Sequence, residues 1–498
     1  MSSDENVKRS HATAEGGHTH AEIMAMPEME TLRDPELKLP RSTSYNDTDI
    51  YYNEKEFNDH TLRPMFFTTP VFYVYIGALM LIALNGLFWW GMQIFLGLGM
   101  ANIHEPMFWG MYIIMFVFWV GLSHSGAIVS SILRLSMANW RRPILRAAEA
   151  LGVLSLMVAG LFPLVHVGRL WRAYYMVPLP SQRMLWPNFK SPLMWDFVAI
   201  NTYLFGSMTF LYIGLLPDIA IARDKAIAEK NWRRHYLTIL GLGWRGGHRE
   251  WSAYNKASWF LAIILICIAP SVHTIVSWDF AMTMTPGWHT TIFGPYFFVG
   301  AIYAGTSAVI ALMIILRWWY DMKSVITQLH IDCMCKLLIV LGMVWTYLYI
   351  NDFNVTWYSR LPEEWEVLSW QYREYGPMFY IMLGGALSTI FFLSWRRFRE
   401  WEFGVFFIMM WIQVDMFIER WMILTQLCRR DNPFMWTSYF PSYTEFSIAA
   451  ASFAYFFILY SVFIKLFPVI TMCDVKEGVL VSGDLRLGRH MVRVQAKE

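Results

Sequence analysis

Long apolar runs organise this chain. After a polar opening segment, residues 1–63, come ten stretches in which charges are rare, at about 71–98, 107–133, 145–167, 193–216, 258–278, 293–316, 334–351, 376–395, 402–424 and 444–467. Each is long enough to cross ~30 Å of hydrocarbon at 1.5 Å per residue. A backbone in lipid has no water to bond, so such runs predict helices. The closing segment from Cys473 to Glu498 is short and charged, and is expected to be soluble.

Composition sharpens this to an all-α integral membrane protein. Hydrophobic residues make up 56% of the 498 and charged residues 16%, with a mean hydropathy of +0.35. A soluble chain needs about a quarter of its residues charged to cover its surface. The net charge of +2 gives no reason to expect nucleic acid. Cys267, Cys333, Cys335, Cys428 and Cys473 form no CxxC or CxxCH pattern, so neither covalently attached haem nor an iron–sulfur centre is expected on this chain. The opening MSSDENVKRSHATAEGGHTH lacks the apolar core of a signal peptide, so no cleavage is expected. Its His18 and His20 suit a loose metal site, but a plain polar tail is the simpler reading.

Lysine and arginine set the orientation. With ten crossings, one side collects the N-terminal segment, the 2–3, 4–5, 6–7 and 8–9 connections and the C-terminal tail, and these hold 31 of the 40 basic residues. Both termini are therefore expected in the cytoplasm. The 4–5 segment, basic with interleaved Trp and Tyr, reads as an interfacial helix on anionic lipid.

A weak repeat is visible. The second stretch carries GLSHSGAIVSSILRL from Gly121, and the sixth carries GAIYAGTSAVIALMIILRW from Gly300. In both, small residues that permit close helix approach lead to an arginine at the basic end. Aligning them predicts two four-helix bundles, residues 107–280 and 281–425. A peripheral first helix (64–106) and a tenth with its tail (426–498) lie outside them. Both copies run in one direction, unlike the inverted repeats of many transporters.

Ionisable side chains inside such runs cost ~2.5–3.5 kcal/mol each by insertion scales and are the natural functional candidates. His166, Arg169, Asp196, His273 and Asp279 fall at the outer, non-basic ends of stretches three to five, and His124 near the middle of the second. Taken singly, Asp196 also reads as a helix N-cap, Arg169 as a snorkelling cation and each histidine as a satisfied core residue. In the second bundle Asp415 and Glu419 lie four residues apart on one face with Arg420 beside them, and Tyr303 and Asp352 are within reach. Carboxylates stacked in this way relay protons or clamp a basic neighbour. Oxidising a quinol suits the first group, because two protons leave with two electrons and need a base at each hydroxyl. The electrons must then leave for a redox centre on another chain.

SVHTIVSWDFAMTMTPGWHTTIFGPYFFVGAIYAG, from Ser271 to Gly305, resembles the signature of the polysulfide-reductase membrane-subunit (NrfD-like) family. GLSHSGAIVSSILRL and WDFVAINTY are similar to its second- and fourth-helix signatures, and the likeness covers about residues 65–470. Within the family it is nearest the larger such subunit of bacterial alternative complex III. The resemblance implies a quinol-oxidising subunit of the bacterial inner membrane, with menaquinone the favoured quinone and ubiquinone left open, and without haem, iron–sulfur cluster or metal of its own. It also implies partners: a periplasmic iron–sulfur subunit, multihaem cytochrome c subunits, a smaller paralogue and small membrane subunits. Carried over by position, His124, His166 and Asp196 become catalytic, and Arg169, His273 and Asp279 join them in binding quinol. Asp279, His273, Tyr303, Asp352, Asp415, Glu419 and Arg420 become a proton path.

Two alternatives stay open. His166 and His273 on facing helices suit the axial ligands of a b-type haem, although no second histidine pair matches them. The buried acids also suit a proton-coupled secondary transporter.

Overall fold

The computed structural model describes residues 54–103, 109–180, 184–283, 286–425, 439–487 and 490–495; His18, His20 and Cys428 lie outside these. Among the described residues, ten long helices follow the apolar runs. They are α1 (Pro70–Leu96), α2 (Gly110–Leu135), α3 (Leu145–Ala159), α4 (Pro192–Ala228), α5 (His248–Ala281), α6 (Phe293–Trp319), α7 (Gln328–Ser359), α8 (Gly376–Ser394), α9 (Glu402–Thr425) and α10 (Tyr443–Leu466). Nine of them are long and apolar enough to cross a membrane. The ninth in order, α9, has 24 residues but carries Glu402, Asp415, Glu419 and Arg420 along its length. The protein is a multi-pass membrane protein.

Packing closes two rings among the described helices. α2 lies on α3, α3 on α4, α4 on α5 and α5 back on α2, and α6 to α9 close in the same way. α2 also runs along α6, with α5 against α6 and α9 against α2, so the rings share a central seam. α1 packs chiefly on α10, and α10 leans on α3 and α2. Burial follows this order, with 94% of the spanning window of α2 covered by protein against 6% for α1.

Small residues explain how α2 can sit at the centre. Lipid is as apolar as leucine, so helices in it associate by close packing rather than by escape from water. A side chain at Gly126 would overlap the Ala148 carbonyl oxygen of α3, and one at Gly305 of α6 would overlap Ser125 of α2. Gly86 of α1 meets Ala451 of α10 by the same device.

The 4–5 segment departs from expectation. α4 and α5 run for 37 and 34 residues, beyond their apolar limits, and the short helix between them is only Arg234–Leu240. Sequences such as ARDKAIA are good helix formers, so the helix propagates past the point where the apolar run stops. α4 ends at Ala228, with Lys230 in left-handed conformation just beyond, and the left-handed Gly243 and Gly246 lead into the start of α5.

The chain divides into two compact units, and every helix from α1 to α10 belongs to Thr61–Thr471. In the other unit the closing segment is more ordered than its charge suggested. It forms a helix, Met472–Val481, and an antiparallel hairpin pairing Ser482–Leu487 with His490–Gln495.

Gly126→Val is expected to destabilise the purified protein by about 1–3 kcal/mol through overpacking, read as a lower melting temperature in detergent. Gly77→Val, where a Cβ meets nothing within 4 Å, should leave melting unchanged.

Candidate functional site

A large cavity opens in the first bundle, at the end where α3 stops and α4 begins. α3 breaks at Gly160, and the short helix Phe162–His166 turns the chain inward before a 3-10 turn, Leu170–Met176. This places His166 on the wall of a cavity of about 540 Å³, within the ~300–1,000 Å³ typical of small-molecule sites. α2 contributes Tyr112 and Phe116 to the wall, α4 Asp196, Ile200 and Asn201, and α5 Asp279. The wall is otherwise almost entirely apolar. Met157 of α3 and Leu161 just beyond its end line it too and are themselves exposed, so the cavity borders the lipid.

Asp196 and Asp279 meet across this cavity. They are 5% and 6% exposed, and their carboxyls interact side chain to side chain. Asp196 Oδ1 and both Asp279 oxygens receive no bond from a protein donor among the described residues, and His166 Nδ1 is likewise without a partner. Asp196 is not an N-cap. Ser191 holds that position and Asp196 lies a turn inside α4. A buried polar atom left unbonded costs about 1–3 kcal/mol, so these atoms are open to a bond from water or from a ligand.

Not every candidate shares this depth. His273 precedes Asp279 by six residues, so it lies about 9 Å further in. It is fully buried, its Nε2 is 3.1 Å from the Phe297 carbonyl, and it does not line the cavity. His124 is also fully buried, with Nδ1 at 2.6 Å from the Val120 carbonyl. Its ring stacks on Tyr203 of α4 at 4.6 Å and meets the edge of His273 at 4.8 Å. Arg169 is exposed and lines no part of the cavity. The chain turns at Gly168, in left-handed conformation, and carries Arg169 outward.

In the second bundle the acids are placed differently. Glu419 is 3.2 Å from Arg420 and accepts a bond from Tyr296, while Arg420 donates to the Met416 carbonyl at 2.6 Å. This is a paired clamp, with Arg420 Nε alone left without a partner among the described residues. Asp415 differs, because neither of its oxygens has a partner and it fits only because Gly385 of α8 has no side chain. Tyr303 faces Asp415, stacks on Trp345 at 6.1 Å and also lacks a bond at its hydroxyl. Asp352 accepts from Thr290 and lines a small cavity with Glu419 and Tyr296.

Several polar residues escaped the sequence reading. Gln93 of α1 is fully buried, donates to the Val165 carbonyl at 3.1 Å and accepts from Tyr112, which steadies the cavity wall. It was visible, with Asn85, as one of two side-chain amides in an apolar run. Glu445 holds Ser442, Asn102 and Met111 backbone N–H groups at 2.8, 3.0 and 3.3 Å, joining the ends of α1, α2 and α10. At the basic side of the first bundle Arg146 lies 3.3 Å from Glu149 and 3.2 Å from Asp218, all three buried.

Comparison with known proteins fits this arrangement. The family described as "Polysulphide reductase, NrfD" matches residues 99–428, the whole of both bundles. A relative from Halobacterium salinarum, named as a putative membrane subunit of a dimethyl sulfoxide reductase, is 28% identical over 245 residues. That match covers 48% of this chain and 51% of the relative, so the chain spans about half the length of the relative it matches.

Arg420→Met should strand Glu419 in the seam and lower stability by about 3–5 kcal/mol. Adding Glu419→Gln should recover most of the loss, as measured by thermal unfolding in detergent. Independent, additive losses would show that the two side chains do not form a clamp.

Proposed function

Because this chain belongs to the NrfD polysulphide reductase family, we propose that it is the quinol-oxidising membrane subunit of an electron-transfer complex. The observation that carries the proposal is the cavity, apolar on its walls, bordering the lipid, with unbonded acceptor atoms at its polar end. A quinol has the complementary form, with an apolar tail and two hydroxyl donors on one ring.

Oxidation removes two protons and two electrons and leaves the quinone. His166 Nδ1 accepts one hydroxyl proton, and the Asp196–Asp279 pair accepts the other. A carboxyl pair suits this role because a proton taken by one oxygen can be shared with its neighbour, and because burial keeps bulk water from competing. His124 and His273 act behind the pair as positioning residues, fixed by Tyr203 and the Phe297 carbonyl. Arg169, exposed, is better placed to meet a partner than a substrate. The electrons pass to an iron–sulfur partner docked at this end of the bundle and on to multihaem cytochromes, in the manner of an alternative complex III. The bias of lysine and arginine toward the opposite end supports reading this end as periplasmic.

Protons have a second set of carriers in this reading. Asp415, unpaired beside Tyr303, is the group in the second bundle free to take one up, with Glu419, Arg420 and Asp352 along the same helices. The haem alternative gains no support, since His273 faces away from the cavity that His166 lines.

The test is binding of a fluorescent quinol analogue to the purified protein. Asp196→Asn and His166→Ala should each weaken a saturable site by about tenfold, the worth of one hydrogen bond of ~1.4 kcal/mol. Asp196→Asn should also abolish quinol-dependent reduction of the partner while assembly persists. Binding indifferent to both changes would remove the quinol from this cavity.

A further inference from the structure

A second large cavity lies away from the quinol site, at the basic side. It holds about 500 Å³ between the α1–α10 pair and helices α6 and α9. Its walls are apolar and aromatic, with Leu79, Leu312, Ile315, Phe406 and Phe456 among them. It arises because α1 packs on α10 rather than on the second bundle, so the seam between them is not closed by protein.

A smaller cavity of about 210 Å³ adjoins it, and the two share Phe72, Trp319 and Tyr320. The smaller one is polar and cationic. Arg63 and Lys465 line it, with Asp321 as its acid. Arg233 stands close by, over the Phe66 ring at 5.6 Å and within electrostatic range of Lys465. Lys465 Nζ donates to the Pro64 and Phe67 carbonyls, both at 2.7 Å. An ammonium has three donors; the two carbonyls take two of them, and Nζ also lies 4.8 Å from the centroid of the Phe72 ring on the cavity wall. Arg63 is exposed, and its guanidinium rests over Phe67 at 5.8 Å.

We infer that the two cavities form one binding site for an anionic phospholipid, with the phosphate between Arg63 and Lys465 and an acyl chain in the apolar seam. Two lining cations against one lining acid, with Arg233 close by, select a negative headgroup, and basic residues at a membrane surface attract such lipids. The aromatic rings shared by the two cavities sit at the junction of head and tail, the depth that Trp and Tyr prefer. A neutral quinone would fill the apolar part but leave the cations unanswered. A free phosphate would do the reverse.

The experiment uses the full-length chain, purified with the partners it carries, stripped of lipid in detergent and then offered phosphatidylglycerol, phosphatidylcholine or menaquinone. Retained molecules are weighed by native mass spectrometry. Phosphatidylglycerol should be held in preference to the other two. Arg63→Glu, at an exposed side chain, should cut its retention by about tenfold, and Leu79→Trp should do so by filling the seam without changing charge. Quinol-analogue binding at the His166 cavity, unaltered in both variants, shows that the protein is folded. Equal retention of phosphatidylcholine, retention untouched by either change, or menaquinone displaced by Leu79→Trp would each overturn the assignment.

Discussion

The backbones of α2 and α6 can touch because Gly121 faces Ala301 and Ser125 faces Gly305, and the remainder of the membrane body is arranged around that approach. In lipid no hydrophobic force draws two helices together, so contact depends on how closely they fit. Placing α2 at the seam surrounds it with α3, α5, α6 and α9. Its polar residues are thereby removed from lipid and water alike. His124 can exist in mid-membrane only because Tyr203 covers its face and the Val120 carbonyl takes its Nδ1. The same enclosure leaves lipid-facing surface to α1, the side of α3 beyond Met157, and the long flanks of α4 and α5. Through the α3 flank a quinol would reach the carboxyl pair.

Much of this was legible in the sequence because period and polarity are blunt signals in a membrane. A run of twenty apolar residues has one solution, so ten helices followed directly, and acids within them could be placed by depth. What polarity alone could not supply was direction around each helix axis. Arg169 and His166 are three residues apart, yet a glycine turn sends one outward and the other to the cavity. Depth counted from one helix end also failed for His273, because α5 runs deeper before its functional residues than the apolar boundary implied. Arg146 and Glu149 were hidden by their position at the margin of a run, where charge is ordinary. Only their burial with Asp218 sets them apart.

The two bundles repeat a plan while differing in charge. His124 of α2 and Tyr303 of α6 occupy the same place in the GxxHxG and GxxYxG motifs, and each lies flat on an aromatic ring of a neighbouring helix, Tyr203 or Trp345. The first bundle opens beside this position into a cavity with two facing acids. The second fills the corresponding region with Trp345, Tyr296 and Tyr349, stacked or tilted on one another, and retains a cavity of about 60 Å³. Among the described cavities, room for a bulky substrate lies in the first bundle, and that of the second suits water-sized occupants.

Arg420 ties these unlike halves together. Its hydrogen bonds are made within α9, to Glu419 and the Met416 carbonyl, but its guanidinium reaches the bare backbone of Gly121 on α2. There it comes within electrostatic range of His273. A Cβ at Gly121 would stand 2.9 Å from the guanidinium nitrogen, so the glycine that lets α2 approach α6 also admits this cation. Inside a membrane protein the field of a charge is weakly screened, and a few ångströms of low-dielectric material transmit it well. Glu419 is the ion-pair partner of Arg420, so a change of charge at Glu419 would alter the field that Arg420 sets at His273. The close seam thus brings charged groups of one bundle within electrostatic range of the other, although each closes its own ring of four helices.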